Sequence, residues 1–160
     1  MIDAEVLAQA EALLESCRRI GRLVATAESC TGGLIAASLT AIAGSSDVVD
    51  RGFVTYSNEA KTEMLGVPAE LIAEFGAVSE EVARAMAEGA IQRSRAHIAV
   101  AVTGIAGPGG ATPGKPVGLV WFGLAMRGVP TRAEQHVFSG DRAAVRYATV
   151  VRALELLGEG

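Results

Sequence analysis

Cysteine, histidine and lysine each occur only twice in these 160 residues, and each scarcity removes a class of function. Cys17 and Cys30 are too few and wrongly spaced for a disulfide framework or a zinc site, which fits a reducing compartment and argues against a structural metal. His97 and His136 both fall within or at the start of strand-like segments rather than at the loop ends that gather the other polar residues, so a histidine-based catalytic triad is disfavoured. No apolar run reaches the roughly 18–20 residues that span a bilayer. The first residues, "MIDAEVLAQAEALLESCRR", form an acidic amphipathic pattern unlike a secretory signal, so the expected location is cytoplasmic, with no membrane partner. Basic clusters are missing too: nothing is denser than Arg18-Arg19, and the net charge is −4. Nucleic acid is therefore disfavoured and a small molecule is the expected partner.

What is present is a composition 50% hydrophobic and 20% charged, that of one globular domain over residues 1–160 with a substantial core. The apolar content also points to a homodimer. Val6, Leu7, Ala10, Leu13, Leu14 and Cys17 recur at helical spacing, predicting a helix over 3–19. "RLVATAES" reads as a buried strand and "TGGLIAASLTAIAG" as the helix after it, closed by Gly44. "DVVDRGFVTYS" is rich in strand formers, and two short helices stop at Gly66 and Gly76. Ser79 caps a longer helix burying Val82, Met86, Gly89 and Ala90. "HIAVAVTG" and "GLVWFGLAM" read as strands covered on both faces, with a glycine-rich loop between them, and "TRAEQHVF" as a last strand. Ser139 or Asp141 caps a final helix with the stripe Tyr147, Val150, Val151, Leu154 and Leu157. The expected fold is a three-layer α/β/α sandwich around a mostly parallel or mixed sheet.

Ligands of such sheets sit beyond the carboxyl ends of the strands. Three segments could end there: Glu28–Gly33, Thr55–Lys61 and Thr103–Gly110. Ser29 reads either as an N-cap or as a nucleophile at the positive end of a helix, beside Gly32 and Gly33, which let a substrate approach the backbone. The G-x-S-x-G elbow is absent. Cys30 is a rival nucleophile if ionised there. A base is then required, and 12 of the 14 cationic residues are arginine, which cannot lose its proton. Lysine can when desolvated, and of Lys61 and Lys115 it is Lys61 that lies on the short helix after the second segment, where a solvated surface lysine is an equal alternative. Tyr56 reads as a core residue or a proton relay, and Asn58 and Thr31 as caps or substrate contacts. Thr103 and Gly104, at a strand end, are placed to meet ligand.

"TAESCTGGLIAASLT", "GSSDVVDRGFVTYSNEAKTEMLGV", "GAVSEEVARAMAEGA", "AVAVTGIAGPGG", "KPVGLVWFGLA" and "FSGDRAAVR" together closely resemble the CinA C-terminal domain family, in order and from about Leu23 onward. Stand-alone members of that family are nicotinamide-nucleotide amidases. The resemblance implies deamidation of nicotinamide mononucleotide to nicotinate mononucleotide and ammonia, in pyridine-nucleotide salvage, with no cofactor. It matches Ser29 to the nucleophile, Tyr56 and Lys61 to its catalytic partners, and Thr103 and Arg142 to pocket positions. Activity belonging to the longer N-terminal domain of two-domain CinA proteins is expected to be absent. On this reading Lys61 takes the Ser29 proton directly or through Tyr56, Cys30 or Thr31 offers a backbone N–H to the oxyanion, and Arg142 holds phosphate. The rival reading is a nucleotide-binding regulatory or competence-associated module without turnover.

Overall fold

The computed structural model describes all residues, Met1–Gly160. Its elements run α1 (Ala4–Arg19), β1 (Val24–Glu28), α2 (Leu34–Thr40), a 3-10 turn (Ser45–Asp47), β2 (Val49–Val54), α3 (Asn58–Leu65), α4 (Ala69–Phe75), α5 (Glu80–Gln92), β3 (Ile98–Gly104), β4 (Leu119–Met126), β5 (Val129–Val137) and α6 (Arg142–Glu159). The sheet order is β2-β1-β3-β4-β5. β1 pairs with β2 and with β3 in parallel, whereas β3–β4 and β4–β5 are antiparallel. Helices cover both faces, giving a three-layer α/β/α fold with a mixed sheet.

The two faces differ in side-chain size, and strand alternation sets the difference. Val24, Ile98, Val100, Val102, Val120, Phe122 and Leu124 pack on one face with residues of α1, α2 and α6. Ala25, Ala27, Ala99, Ala101 and Ala125 line the other, against Val82, Met86 and Ala90 of α5 and Leu65 and Ile72 of α3 and α4. Small residues let α5 lie close to the sheet. A Cβ at Gly123 would fall 2.3 Å from the Ala83 carbonyl oxygen, and one at Gly89 2.0 Å from that of Leu65. No helix is long and apolar enough to cross a membrane.

Three local expectations are corrected. α2 begins at Leu34, not in the Thr31 region, because Gly32 and Gly33 adopt positive φ (58° and 106°) and hold the chain in a turn first. It ends at Thr40, short of Gly44, whose positive φ instead opens the 3-10 turn. In α6 the cap is Asp141, one of the two expected, its side chain accepting from the Ala144 amide, but Tyr147 leaves the apolar stripe at 40% exposed. The buried face there runs through Val145, Thr149, Val150, Ala153 and Leu154.

Candidate active site

The three parallel strands end at one edge of the sheet, and the chain leaves β1 and β2 toward opposite faces: α2 joins the α1/α6 layer, whereas α3 joins the α5 layer. Such a divergence opens a crevice above the central strand. Ser29, the first residue past β1, sits in it. A cleft of about 240 Å³ is lined by Ser29, Cys30, Tyr56, Asn58, Lys61, Thr103, Gly104 and Arg142, with Ala77, Val78 and Ala106 as its apolar wall. Three separate loop ends and the start of α6 thus meet there.

Ser29 does not cap α2. Gly33 occupies the N-cap position and caps nothing with a side chain. The capping is done by Glu28, which is fully buried. Its Oε1 accepts from Thr31 Oγ1 (2.6 Å) and the Ile35 amide (2.9 Å), and Oε2 accepts from the Ala36 amide (3.0 Å). A carboxylate at a helix start satisfies orphan N–H groups and complements the helix dipole. The serine hydroxyl is left for another partner.

That partner is Lys61. Its Nζ lies 3.0 Å from Ser29 Oγ. It also donates to the carbonyls of Thr55 (2.9 Å) and Tyr56 (3.2 Å), with a longer contact to that of Ser57 (3.4 Å). The residue is only 1% exposed and makes no ion pair. Burial pushes its pKa down, opposed by smaller attractions to Cys30 and Glu59. A neutral amine has two N–H donors and one lone pair. Thr55 and Tyr56 can take the donors, leaving the lone pair to Ser29. Lys115, the other lysine, donates instead to the Phe75 carbonyl (2.6 Å) and ties the glycine-rich loop to the end of α4.

Cys30 lines the cleft, but burial pushes its thiol up to about 11, opposed more weakly by its own backbone amide and by the positive charges of Arg146 and Lys61. It is therefore a thiol near neutrality, the poor nucleophile of the neighbouring pair. The Thr31 side chain is turned inward to Glu28, and Gly32 is exposed, outside the cleft lining, its amide donating to the Ser29 carbonyl (3.0 Å). The Cys30 amide meets only its own thiol, and the Thr31 amide meets no acceptor in the protein. Tyr56 is 61% exposed, and its hydroxyl accepts from Arg142 Nη2 (3.2 Å), while its backbone carbonyl faces Lys61. Thr103 Oγ1 donates to the Ala77 carbonyl (2.8 Å). At Gly104 a Cβ would crowd Val120 Cγ2 at 2.6 Å, so the strand end needs glycine.

Arg142 stands at the mouth, also donating through Nη1 to the Gly107 carbonyl (3.0 Å). Beyond it a wider cavity of about 710 Å³ shares Ala106 and Arg142 with the cleft and adds Pro108, Val117, Gly140, Asp141, Ala143 and Arg146. Sequence reasoning passed over two residues that shape the nucleophile turn. One is Glu28, signalled only as a carboxylate ending an apolar strand. The other is Arg146, one helical turn after Arg142 and so on the same face of α6. No group of three or more His, Cys, Asp or Glu is placed to hold a metal ion.

The model of the CinA C-terminal domain matches residues 7–160. The sequence is 48% identical over 157 residues to the nicotinamide-nucleotide amidohydrolase PncC of Escherichia coli K12, covering 98% of this chain and 95% of that protein. It is 58% identical over 130 residues to a CinA-like protein of Akkermansia muciniphila, and 54% over 163 residues to a putative competence-damage inducible protein of Symbiobacterium thermophilum. It covers 81% and 97% of its own length in these matches but spans only 31% and 38% of those longer relatives. The structure superimposes on the competence/damage inducible protein CihA of Agrobacterium tumefaciens with a TM-score of 0.95 at 51% identity, covering 98% and 96% of the two chains. For the competence damage-inducible protein A of Klebsiella pneumoniae the values are 0.92 and 40%, covering 96% and 95%.

Proposed function

Since the chain belongs to the CinA C-terminal domain family, we propose that it hydrolyses the carboxamide of nicotinamide mononucleotide to nicotinate mononucleotide and ammonia, in pyridine-nucleotide salvage, through an acyl-enzyme on Ser29. The observation that carries this reading is the buried, unpaired Lys61 with its Nζ 3.0 Å from Ser29 Oγ. A binding module needs no such pair, because burying an amine away from any carboxylate costs stability and gains only a more easily lost proton.

The steps follow from the donors present. Neutral Lys61 accepts the Ser29 proton as Oγ bonds to the carboxamide carbon, and the carbonyl oxygen becomes an oxyanion that takes the Thr31 amide, which has no acceptor within the protein, as its donor. Collapse breaks the C–N bond, and the Lys61 ammonium returns its proton to the leaving nitrogen, releasing ammonia and a Ser29 ester. Water then attacks the ester, giving its proton to Lys61, which passes it back to Oγ as the acid departs. The net change is amide plus water to carboxylate plus ammonium. The substrate pyridinium is itself cationic, so its arrival favours the neutral form of Lys61 further.

The cleft takes the ring, and Arg142 at its mouth is set to meet the phosphate with charge-assisted hydrogen bonds. Tyr56, already paired with Arg142, is better placed to orient that guanidinium and the ribose than to relay the serine proton. Asn58, Thr103 and Gly104 complete the ring pocket. The test is ammonia release from nicotinamide mononucleotide and from its dephosphorylated nucleoside, for the wild type and Ser29→Ala. Turnover that favours the mononucleotide and vanishes in Ser29→Ala is expected. Binding without ammonia release would leave only a nucleotide-binding module.

A further inference from the structure

We propose that Arg146 is a positioning residue that holds the Thr31 amide as the oxyanion donor, acting from α6 without touching substrate. This rests on the acyl-enzyme reading of Ser29. Arg146 Nε donates to the Cys30 carbonyl (3.2 Å) and Nη2 to that of Thr31 (3.2 Å). Both peptide bonds are trans, since the only cis bond is Gly107–Pro108. In a trans peptide the N–H points opposite to the C=O. With the Cys30 carbonyl held toward Arg146, the Thr31 N–H is directed away from it; with the Thr31 carbonyl held likewise, the Gly32 N–H is directed to the Ser29 carbonyl, where it is found at 3.0 Å.

Arg146 lines the outer cavity and not the cleft that holds Ser29. Its bond to the Cys30 carbonyl therefore fixes the Cys30–Thr31 peptide from behind. The turn needs such an anchor because two glycines follow Thr31, both at positive φ, and glycine backbones rotate easily. Glu28 fastens the Thr31 hydroxyl and the start of α2, and the Leu34 amide also donates to the Thr31 carbonyl (3.1 Å), so the Cys30 carbonyl is the one that Arg146 holds alone. If the Cys30–Thr31 peptide rotated, the Cys30 carbonyl oxygen and not the Thr31 N–H would face the developing oxyanion.

The experiment uses Arg146→Met and Arg146→Lys, with three readouts. Steady-state hydrolysis of nicotinamide mononucleotide should lose kcat by roughly 10²-fold in Arg146→Met with little change in KM, the scale expected for one oxyanion donor, and Arg146→Lys should recover part of it. Affinity for nicotinamide mononucleotide, measured by calorimetry in a Ser29→Ala background, should stay within about threefold whether position 146 is Arg or Met. Affinity for the 3-formylpyridine mononucleotide, whose aldehyde carbon bonds reversibly to a serine oxygen and places an oxyanion in the hole, should fall in step with kcat in the Ser29 enzyme. A merely structural role would instead lower the unfolding midpoint and all three parameters together, and would overturn the proposal. So would an unchanged kcat, or a loss confined to KM and nucleotide affinity, which would make Arg146 a phosphate contact. Turnover surviving Ser29→Ala would overturn the acyl-enzyme reading itself and is recognised separately, because it involves no change at Arg146.

Discussion

A serine hydroxyl is a weak nucleophile near neutrality, and what activates it is a neighbour with an open lone pair. Lys61 meets that need because burial and the lack of a carboxylate partner both disfavour its ammonium form. Arginine at this position would keep the charge but could not accept the proton. Lys61→Arg should therefore be nearly as inactive as Lys61→Ala, each retaining nucleotide affinity within a modest factor, while Cys30→Ala should keep most of the turnover. In the wild type, activity should fall as pH drops through the lowered Lys61 pKa, since the protonated amine cannot act as base. An active Lys61→Arg would reduce Lys61 to an electrostatic role. The proximity of Ser29 and Lys61 was legible chiefly from the family resemblance, the rarity of lysine only narrowing the choice, since local sequence alone left Lys61 equally a surface residue. The partner of the Tyr56 hydroxyl was not: Arg142 lies far along the chain, and only the tertiary fold brings it to Tyr56.

At the scale of elements, the short helix α2 depends on a carboxylate that precedes it by a whole turn of chain. Glu28 takes three donors at once, the Thr31 hydroxyl and the Ile35 and Ala36 amides, in a site without solvent. Glu28→Gln keeps the shape but presents an NH₂ where at least one of these donors needs an acceptor. It should cost about 1–3 kcal/mol of unfolding free energy, the penalty for an unsatisfied buried group, measured by denaturant titration. It should also lower kcat, because the turn carrying Ser29 is then free to rearrange. Stability equal to that of the wild type would mean that α2 is held by its packing alone. This element also shows why the helix start was misplaced from sequence. Apolar periodicity marks a helix's interior, whereas its first residue is set by backbone dihedrals, and the glycine pair at positive φ postponed it. Strands β1, β3 and β4 were easier to read, since continuous apolar runs of that length report burial on both faces.

Across the whole molecule, the small-residue face of the sheet and the divergence of α2 and α3 around β1 bury the amine of Lys61 among backbone carbonyls and the Ser29 hydroxyl, with no carboxylate to hold its charge. Such a site sets function against stability, and pH exposes the conflict. The sign follows from proton linkage. In the unfolded chain Lys61 titrates near ~10.4, whereas in the folded protein its pKa is lowered, so between the two values the unfolded state binds the additional proton. Stability then rises with pH across that interval, by at most about 1.4 kcal/mol per pH unit for one proton. In Lys61→Met nothing titrates at this position. The unfolding free energy of the wild type relative to Lys61→Met should accordingly climb as pH is raised from the folded pKa toward ~10, and level off above it. Most other groups titrate alike in both proteins and cancel in the difference. Cys30, pushed up to about 11 when folded, stays protonated through the window, and losing the nearby amine would only raise it further. Denaturant titrations of the two proteins at several pH values provide the measurement, with no catalysis involved. A difference that stays flat until pH approaches ~10 would mean that folded Lys61 keeps an ordinary ammonium, and would remove the base from the mechanism.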